Sequence, residues 1–313
     1  MTFTNPRPAF ALPSGVTFIE RGWLSSNNIV LQDEAKAVLI DSGYWTHAEQ
    51  TRALVSHHLG GRPLQTLINT HLHSDHCGGN ALLQNAYPGL ELLVPPGHAV
   101  YVENWDPKAL SFTPTGQHCP QFRLTGVIQP GAKFIVNGAE WQCHAAPGHD
   151  PNALIIFNAQ VGILISADAL WENGFGAVFP EIEGFEAFDE VEATLQMIEE
   201  LKPRCVLPGH GGIFEDVPAA LARARSRLAQ FRAAPDKHAS HLAKVLLKFK
   251  LLELQRVSYT EFYAWSEDLS YLRLAHKEYA GAVTYKNWIR DLCLGLEKSG
   301  ACAMDGDFIC NAG

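Results

Sequence analysis

The chain has 313 residues, of which 47% are hydrophobic and 18% are charged, so it can form a large core in one domain with an extension. Its formal net charge of -9, without a basic block, argues against a nucleic-acid partner. No apolar run reaches the ~20 residues that span a bilayer, which argues against a membrane partner. Because the start lacks a signal-peptide layout and the seven cysteines form no CxxC pair, we expect a cytoplasmic protein with reduced thiols.

Hydrophobic periodicity predicts alternating strands and helices along the first two thirds of the chain. In chain order, the expected elements are a strand over 37–40, a helix from Thr46 to Gly60-Gly61, a strand over 67–69, a helix over 77–86, a hairpin over 135–141, paired strands over 153–157 and 161–165, and a helix over 189–201. Thr46 with Glu49 has the pattern of a capping box, and Asp189 is the expected cap of the last helix. Asn137-Gly138 predicts a tight hairpin turn.

The last third of the chain has a different pattern. Apolar residues recur at three and four positions over 218–231, 241–254 and 285–297, which predicts three amphipathic helices. We expect them to cover the preceding domain or to form a homodimer, and they can also cap a cleft and set substrate size. The tail, residues 305–313, has no clear periodicity and is expected to be loose.

The sequence His71-Leu72-His73-Ser74-Asp75-His76 holds four potential metal ligands within six residues. In an extended segment, residues two apart point to the same side, so His71 and His73 can hold one ion. Asp75 and His76 follow after the chain has turned, so they can face a second ion.

Three later segments offer the remaining ligands that two metal ions need. His149 lies in a Pro-Gly-His-Asp turn, Asp168 ends an apolar run, and His210 lies in a Pro-Gly-His-Gly-Gly sequence. Each follows a hydrophobic, strand-like segment, where the functional loops of layered α/β proteins gather. His98, His118 and His144 are not needed for this set.

In this order, the motifs HxHxDH, PGH, a strand-terminal aspartate and PGHGG resemble those of the metallo-β-lactamase superfamily, from about Gly15 to Gly212. The resemblance implies an α/β fold, the four-layer αββα sandwich, over residues 1–214, followed by a helical extension over 215–313. It implies that one metal ion is held by His71, His73 and His149 and a second by Asp75, His76 and His210. Asp168 would bridge both ions, Asp75 would also orient the attacking hydroxide, and Asp41 would orient a ligand loop.

Within the superfamily, this ligand set is closest to the thioesterase, lactonase and hydroxyacylglutathione hydrolase branches. It implies a hydroxide, activated by two zinc ions, that cleaves a thioester, lactone or related ester; iron or manganese are alternatives. The stretch after Asp168 has no Lys or Arg until Lys202, which disfavours a glutathione thioester. β-Lactam hydrolysis, and a non-catalytic metal-binding or regulatory protein acting through its C-terminal helices, stay open as alternatives.

Aromatic residues near the ligand motifs predict a pocket for an apolar acyl or ring group of a small-molecule substrate. The candidate pocket residues are Trp171, Phe175 and Phe179 after the bridging aspartate, with Tyr101 and Trp105 in the long connection between the first two motifs.

Overall fold

The structure, a computed structural model, describes residues 10–312. The first sheet has six strands in chain order: β1 Val16–Ile19, β2 Asn28–Gln32, β3 Ala37–Ile40, β4 Thr66–Ile68, β5 Glu91–Val94 and β6 Gly126–Val127. Strands β1 to β3 are antiparallel and β3 to β6 are parallel. Because parallel strands end at the same edge of a sheet, β3 and β4 deliver their following loops to one place.

The second sheet has five strands in the spatial order β11-β10-β9-β8-β7. They are β7 Lys133–Val136, β8 Ala139–Ala145, β9 Leu154–Asn158, β10 Ile163–Ala167 and β11 Cys205–Pro208. The predicted hairpin is present, since Asn137 and Gly138 both have positive φ values, 53° and 70°, and join β7 to β8. The paired strands predicted over 153–165 are β9 and β10.

The two sheets pack face to face. Buried side chains of the first sheet, such as Ile29 and Ile40, share one apolar cluster with Ile156, Ile165 and Leu207 of the second sheet. Burial of this apolar surface is the main force that holds the two layers together.

Helices cover the outer face of each sheet. The first sheet is covered by α1 Ala48–Leu59, α2 Ser74–Cys77, α3 Asn80–Ala86, α4 Pro96–Glu103 and α5 Phe112–Thr115. The second sheet is covered by α6 Ala187–Leu201 and α7 Val217–Ala233, whose apolar faces join the cluster outside that sheet. The predicted four-layer αββα sandwich is confirmed, and α7 forms part of its outer layer.

The C-terminal part has a core of its own. Its elements are α8 Pro235–Leu254, β12 Arg256–Ser258, α9 Tyr259–Glu267, α10 Ser270–Tyr279, α11 Tyr285–Lys298, β13 Cys302–Asp305 and β14 Phe308–Asn311. Phe179 and Ile182, from a 3₁₀ turn over Phe179–Glu183, pack into the same cluster and connect it to the sandwich. Within residues 10–312, no helix is long and apolar enough to cross a membrane.

The expectation of a loose C-terminal tail was wrong. Strand β14 lies between β12 and β13 in a small antiparallel sheet. The ammonium group of Lys248 donates to the side chain of Asn311 at 2.6 Å and to the carbonyl of Ala312 at 2.8 Å. These contacts join residues more than 60 positions apart, which the local pattern of a nine-residue tail does not reveal.

Two predicted helix starts also differ from the structure. Helix α1 begins at Ala48 after a 3₁₀ turn over Trp45–His47, and Glu49 pairs with Arg52 instead of closing a capping box. Helix α6 begins at Ala187, ahead of Asp189, because the carboxylate of Glu181 accepts the amide hydrogen of Phe188.

The helix predicted over 77–86 is interrupted at Gly78-Gly79. A Cβ atom on either glycine would lie 2.5 Å from the backbone of the loop after β3, at the Trp45 nitrogen or the Ser42 oxygen. Glycine therefore allows the HxHxDH loop to pack directly on that loop.

Candidate metal centre

The predicted ligands lie in loops at one edge of the two sheets. The loop after β4 carries His71 to His76, and its last turn is α2. His149 lies between β8 and β9, Asp168 follows β10 directly, and His210 lies two residues after β11. Strand pairing thus brings together side chains that are up to 139 positions apart in the sequence.

All seven predicted ligands are brought together. Three groups have ligand atoms within 4.8 Å of one another: His71, His73 and His149; His71, His76 and Asp168; and Asp75, His76 and His210. The first and third groups match the two triads that the motifs imply. They share no residue, so the two groups can serve two ions.

Asp168 lies between the two triads. Its Oδ2 atom is 3.4 Å from His149 Nε2, and its Oδ1 atom is 3.3 Å from His76 Nε2 and 3.8 Å from His210 Nε2. The two oxygens of one carboxylate therefore face different triads. This is the arrangement that a bridging carboxylate requires.

Several ring nitrogens of the site are left unsatisfied by the protein. The Nε2 atom of His71 is buried and has no hydrogen-bond partner among residues 10–312. The Nε2 atom of His76 is also buried, and it faces Asp168 Oδ1 at 3.3 Å without hydrogen-bond geometry. The Nδ1 atom of His73 lies 2.8 Å from the Nε2 atom of His149, so the two need a proton or a cation between them. Buried polar atoms are normally paired, and imidazole with carboxylate is a preferred donor set for zinc. The residues therefore fit a divalent metal.

The second nitrogen of each of three rings is held by the surrounding protein. His71 Nδ1 lies 3.1 Å from the Thr70 hydroxyl, His76 Nδ1 lies 2.8 Å from Asp41 Oδ2, and His149 Nδ1 lies 2.6 Å from the Ala177 carbonyl oxygen. Such contacts fix the ring orientation and the tautomer that leaves Nε2 free to coordinate.

Asp41, predicted to orient a ligand loop, contacts both that loop and one of the ligands. Its carboxylate accepts hydrogen bonds from the backbone N–H and the hydroxyl of Thr70, both at 2.8 Å, in addition to facing His76. The side chain is almost fully buried, and its backbone has a φ of 57°, in the left-handed region.

The charges of the site are strongly coupled. Burial opposes protonation of His76, but the carboxylates of Asp168, Asp41 and Asp75 outweigh it and raise the pKa of His76 well above its ordinary value. Burial and the neighbouring histidines lower the pKa of His71 well below its ordinary value. Burial alone would raise the pKa of Asp75, yet His76 and His210 lower it, so Asp75 is ionised at neutral pH.

A cavity of about 290 Å³ opens above these residues. His73, Asp75, His149, Asp168 and His210 line its floor. Its walls come from both parts of the chain, since α8 contributes Val245 and Phe249 and α10 contributes Tyr271. The C-terminal helices therefore form part of the wall around the candidate centre.

Two of the five predicted pocket aromatics line this cavity, namely Trp171 and Phe179. The prediction for Phe175, Tyr101 and Trp105 was wrong. Phe175 is buried in the cluster outside the second sheet, and Trp105 packs against Phe112 and Phe122 over the first sheet. Tyr101 lies on the exposed side of α4. Closeness in sequence to a ligand motif did not determine which way these rings point.

Several cavity residues were missed. The ring of Trp23, from the loop between β1 and β2, stacks on His210 with an interplanar angle of 4°. Asp150 and His98 also line the cavity, with Asp150 Oδ2 3.9 Å from His73 Nε2 and 3.9 Å from His98 Nδ1. Asp150 could have been found beside His149 in the PGHD motif, and Phe249 lies in the apolar stripe that predicted its helix. No pattern in the sequence indicated that Trp23 lines the cavity.

Comparison with known proteins identifies curated relatives of this chain. The chain is 26% identical over 193 residues to an atrochrysone carboxyl ACP thioesterase of Aspergillus fumigatus, covering 61% of this chain and 52% of the relative. It is 28% identical over 176 residues to a hydroxyacylglutathione hydrolase of Xanthomonas euvesicatoria, covering 56% and 54%. The chain thus spans about half the length of these curated relatives.

The fold also matches solved structures. A metallo-beta-lactamase family protein of Thermus thermophilus superposes with a TM-score of 0.57 at 20% sequence identity, covering 96% of this chain and 100% of that chain. The sequence model of the Metallo-beta-lactamase superfamily matches residues 21–210, which is more than half of the chain. The chain therefore belongs to the metallo-beta-lactamase superfamily, whose members are hydrolytic metalloenzymes.

Proposed function

We propose that the protein is a dinuclear, zinc-dependent hydrolase that cleaves a thioester, lactone or related ester. The observation that carries this proposal is the complete set of seven nitrogen and carboxylate ligands, arranged as two triads on either side of Asp168 at the floor of a cavity. Nitrogen and carboxylate ligands suit zinc best among the abundant divalent metals.

The two triads define which residues would hold the ions. His71, His73 and His149 would hold one ion, and Asp75, His76 and His210 would hold the other. When bound, divalent ions supply Lewis acidity for the scissile carbonyl and a strong nucleophile at neutral pH.

Asp75 is the residue that we assign to proton transfer. It is ionised, it lines the cavity, and its Oδ2 atom lies 3.1 Å from Nε2 of His210, which belongs to the same triad. A carboxylate in this position can accept a proton from the attacking water and return it to the leaving thiol or alcohol.

The walls favour an acyl or ring substrate. Trp23 and Trp171 form an edge-to-face pair, with ring centroids 5.5 Å apart, at one side of the cavity. Phe179 and Tyr271 stack at 5.2 Å, and both line the same cavity. Flat apolar surfaces of this kind bind hydrocarbon groups. The two curated relatives, an atrochrysone carboxyl ACP thioesterase and a hydroxyacylglutathione hydrolase, support a thioester as the first substrate class to test.

The proposal is tested with a panel of acyl thioesters, aryl esters and lactones. We expect turnover of at least one class, its loss on chelation, and its return with zinc. Asp75→Asn is expected to lower kcat by about 100-fold or more, whereas Glu200→Gln, an equivalent loss of charge on exposed α6, keeps the wild-type rate. Equal rates in wild type and Asp75→Asn would contradict the proposal.

A further inference from the structure

The cavity above the candidate metal centre is lined by several acidic side chains. Among the described residues that line it, there is no lysine or arginine. Beyond the ligands themselves, its ionisable lining residues include three carboxylates, Asp150, Glu183 and Glu190. Within residues 10–312, the other ionisable side chains that line it are His98 and Tyr271.

These carboxylates occupy different depths. Asp150 is almost fully buried near the floor, where its Oδ1 atom accepts the backbone N–H of Asn152. Glu183 ends the 3₁₀ turn over Phe179–Glu183, and Glu190 lies in the first turn of α6. Both line the cavity and are exposed, which places them at its mouth. Acidic side chains therefore line a buried part and an exposed part of the cavity.

In the described part of the chain, neither Glu183 nor Glu190 forms an ion pair with a lysine or arginine, although Arg232 pairs with the neighbouring Asp189 at 2.7 Å. Burial raises the pKa of Glu183, and the hydroxyl of Tyr271 only partly counters it. Burial is also what raises the pKa of Glu190. A carboxylate with a basic partner would have a lowered pKa instead, so these directions agree with a lining that has no lysine or arginine.

The acidic lining affects the part of a substrate that lies beyond the scissile carbonyl. An anionic group on that part would lose hydration in an aromatic cavity and meet carboxylates where the described lining offers no lysine or arginine. This repulsion is screened least at Asp150, which is buried, and more at the two glutamates, which are exposed to solvent. An uncharged group meets no such cost and gains contact with Trp171, Phe249 and Tyr271.

We propose that Asp150, Glu183 and Glu190 make this cavity selective for substrates that are uncharged outside the scissile bond, and that they exclude substrates carrying carboxylate or phosphate groups there. This inference rests on the proposed hydrolase function and narrows its substrate class.

The first test measures binding without metal or turnover. The chelated protein is titrated with N-phenyl-1-naphthylamine, which is uncharged, and with 8-anilinonaphthalene-1-sulfonate, its anionic counterpart, and fluorescence gives both dissociation constants. We expect the uncharged dye to bind at least tenfold more tightly. Because the uncharged dye is also more apolar, the decisive quantity is how the ratio of the two constants changes in variants.

The double variant Glu183→Gln/Glu190→Gln keeps the size of both side chains and removes both charges. We expect the dye ratio to fall at least threefold in it, through tighter binding of the sulfonate. Glu200→Gln, on the same helix α6 but outside the cavity lining, is the matched control and should keep the wild-type ratio. An unchanged ratio in the double variant, or equal binding of both dyes by wild type, would overturn the inference.

The second test uses turnover of matched thioesters. One pair has the same acyl group on N-acetylcysteamine, which is uncharged, or on glutathione, which is anionic. A second pair compares hexanoyl and adipoyl groups on N-acetylcysteamine, which moves the charge to the acyl side. We expect kcat/KM to favour the uncharged member at least tenfold in one pair or both, and this preference to shrink in the double variant.

The outcomes separate the two proposals. Similar kcat/KM values within both pairs would refute the charge selectivity and leave the hydrolase intact. Absence of turnover for every substrate would count against the hydrolase alone, and the dye ratio would then decide the selectivity.

Discussion

Replacing the Asp41 carboxylate by an amide, Asp41→Asn, isolates the contribution of a residue that touches one ligand and supports its loop. The carboxylate accepts two hydrogen bonds from Thr70 and lies 2.8 Å from His76 Nδ1. The substitution keeps side-chain size. It also keeps the backbone, because asparagine tolerates the positive φ of 57° found here.

The expected loss of metal affinity follows from the loss of one acceptor, since an amide has one acceptor oxygen where a carboxylate has two. If the amide nitrogen of the substituted side chain faces His76, Nδ1 must give up its proton, and the tautomer that results protonates Nε2, the atom needed for metal. If the amide is flipped, its nitrogen faces the Thr70 N–H, and an unsatisfied buried donor costs about 1–3 kcal/mol. Removing a partner that orients a ligand typically weakens metal binding 10- to 100-fold, or about 1.4–2.8 kcal/mol.

The assay is zinc competition against a chromophoric chelator, together with urea unfolding of the chelated protein. We expect Asp41→Asn to weaken zinc binding 10- to 100-fold while lowering the free energy of unfolding by no more than about 3 kcal/mol. Asp33→Asn is the control, since Asp33 also accepts backbone N–H groups but lies in an exposed turn. Wild-type zinc affinity in Asp41→Asn would refute the assigned role.

Three further results are expected. Gly209→Ala should lose metal, because its Cβ would lie 2.2 Å from Asp168 Oδ1. Gly22→Ala has open space around the new Cβ and should bind metal normally. Equal metal content in the two variants would contradict this prediction. Phe249→Ala should raise kcat/KM for bulkier acyl groups relative to short ones, measured over a chain-length series, since this ring lines the cavity; an unchanged profile would argue against it. Burial and the nearby His241 lower the pKa of His238 to about 4, below the ~6.5 of an unfolded chain. The unfolded state therefore binds more protons between pH ~6.5 and ~4, and the free energy of unfolding falls by up to about 3 kcal/mol as the pH drops through this range. Urea unfolding at pH 7 and 5 should show a smaller difference in His238→Phe than in wild type, and the same difference in both would exclude this histidine as the cause.

The elements whose pattern is local could be predicted from the sequence. The strand over Ala37–Ile40 and the Asn137-Gly138 hairpin are encoded by continuous apolar runs and by turn chemistry, and both were found as expected. The ligands could be predicted for a related reason, because each lies in a short motif directly after a strand. Strand pairing then brings those loops to one edge without further information.

The rest depends on contacts between distant segments. The start of α6 is set by Glu181 accepting the Phe188 amide, and the break at Gly78-Gly79 is set by the loop after β3. In the cavity, Trp23 and Tyr271 approach from opposite ends of the chain. Such tertiary contacts override local preference, and no single segment of the sequence contains them.

The most direct test of the dinuclear centre is the zinc content per chain by elemental analysis, measured on wild type, Asp168→Ala and Glu200→Gln after loading and desalting. We expect two zinc ions per chain in wild type and Glu200→Gln, and fewer than two in Asp168→Ala because the carboxylate that faces both triads is gone. One ion in wild type, or two retained in Asp168→Ala, would contradict a dinuclear centre bridged by Asp168.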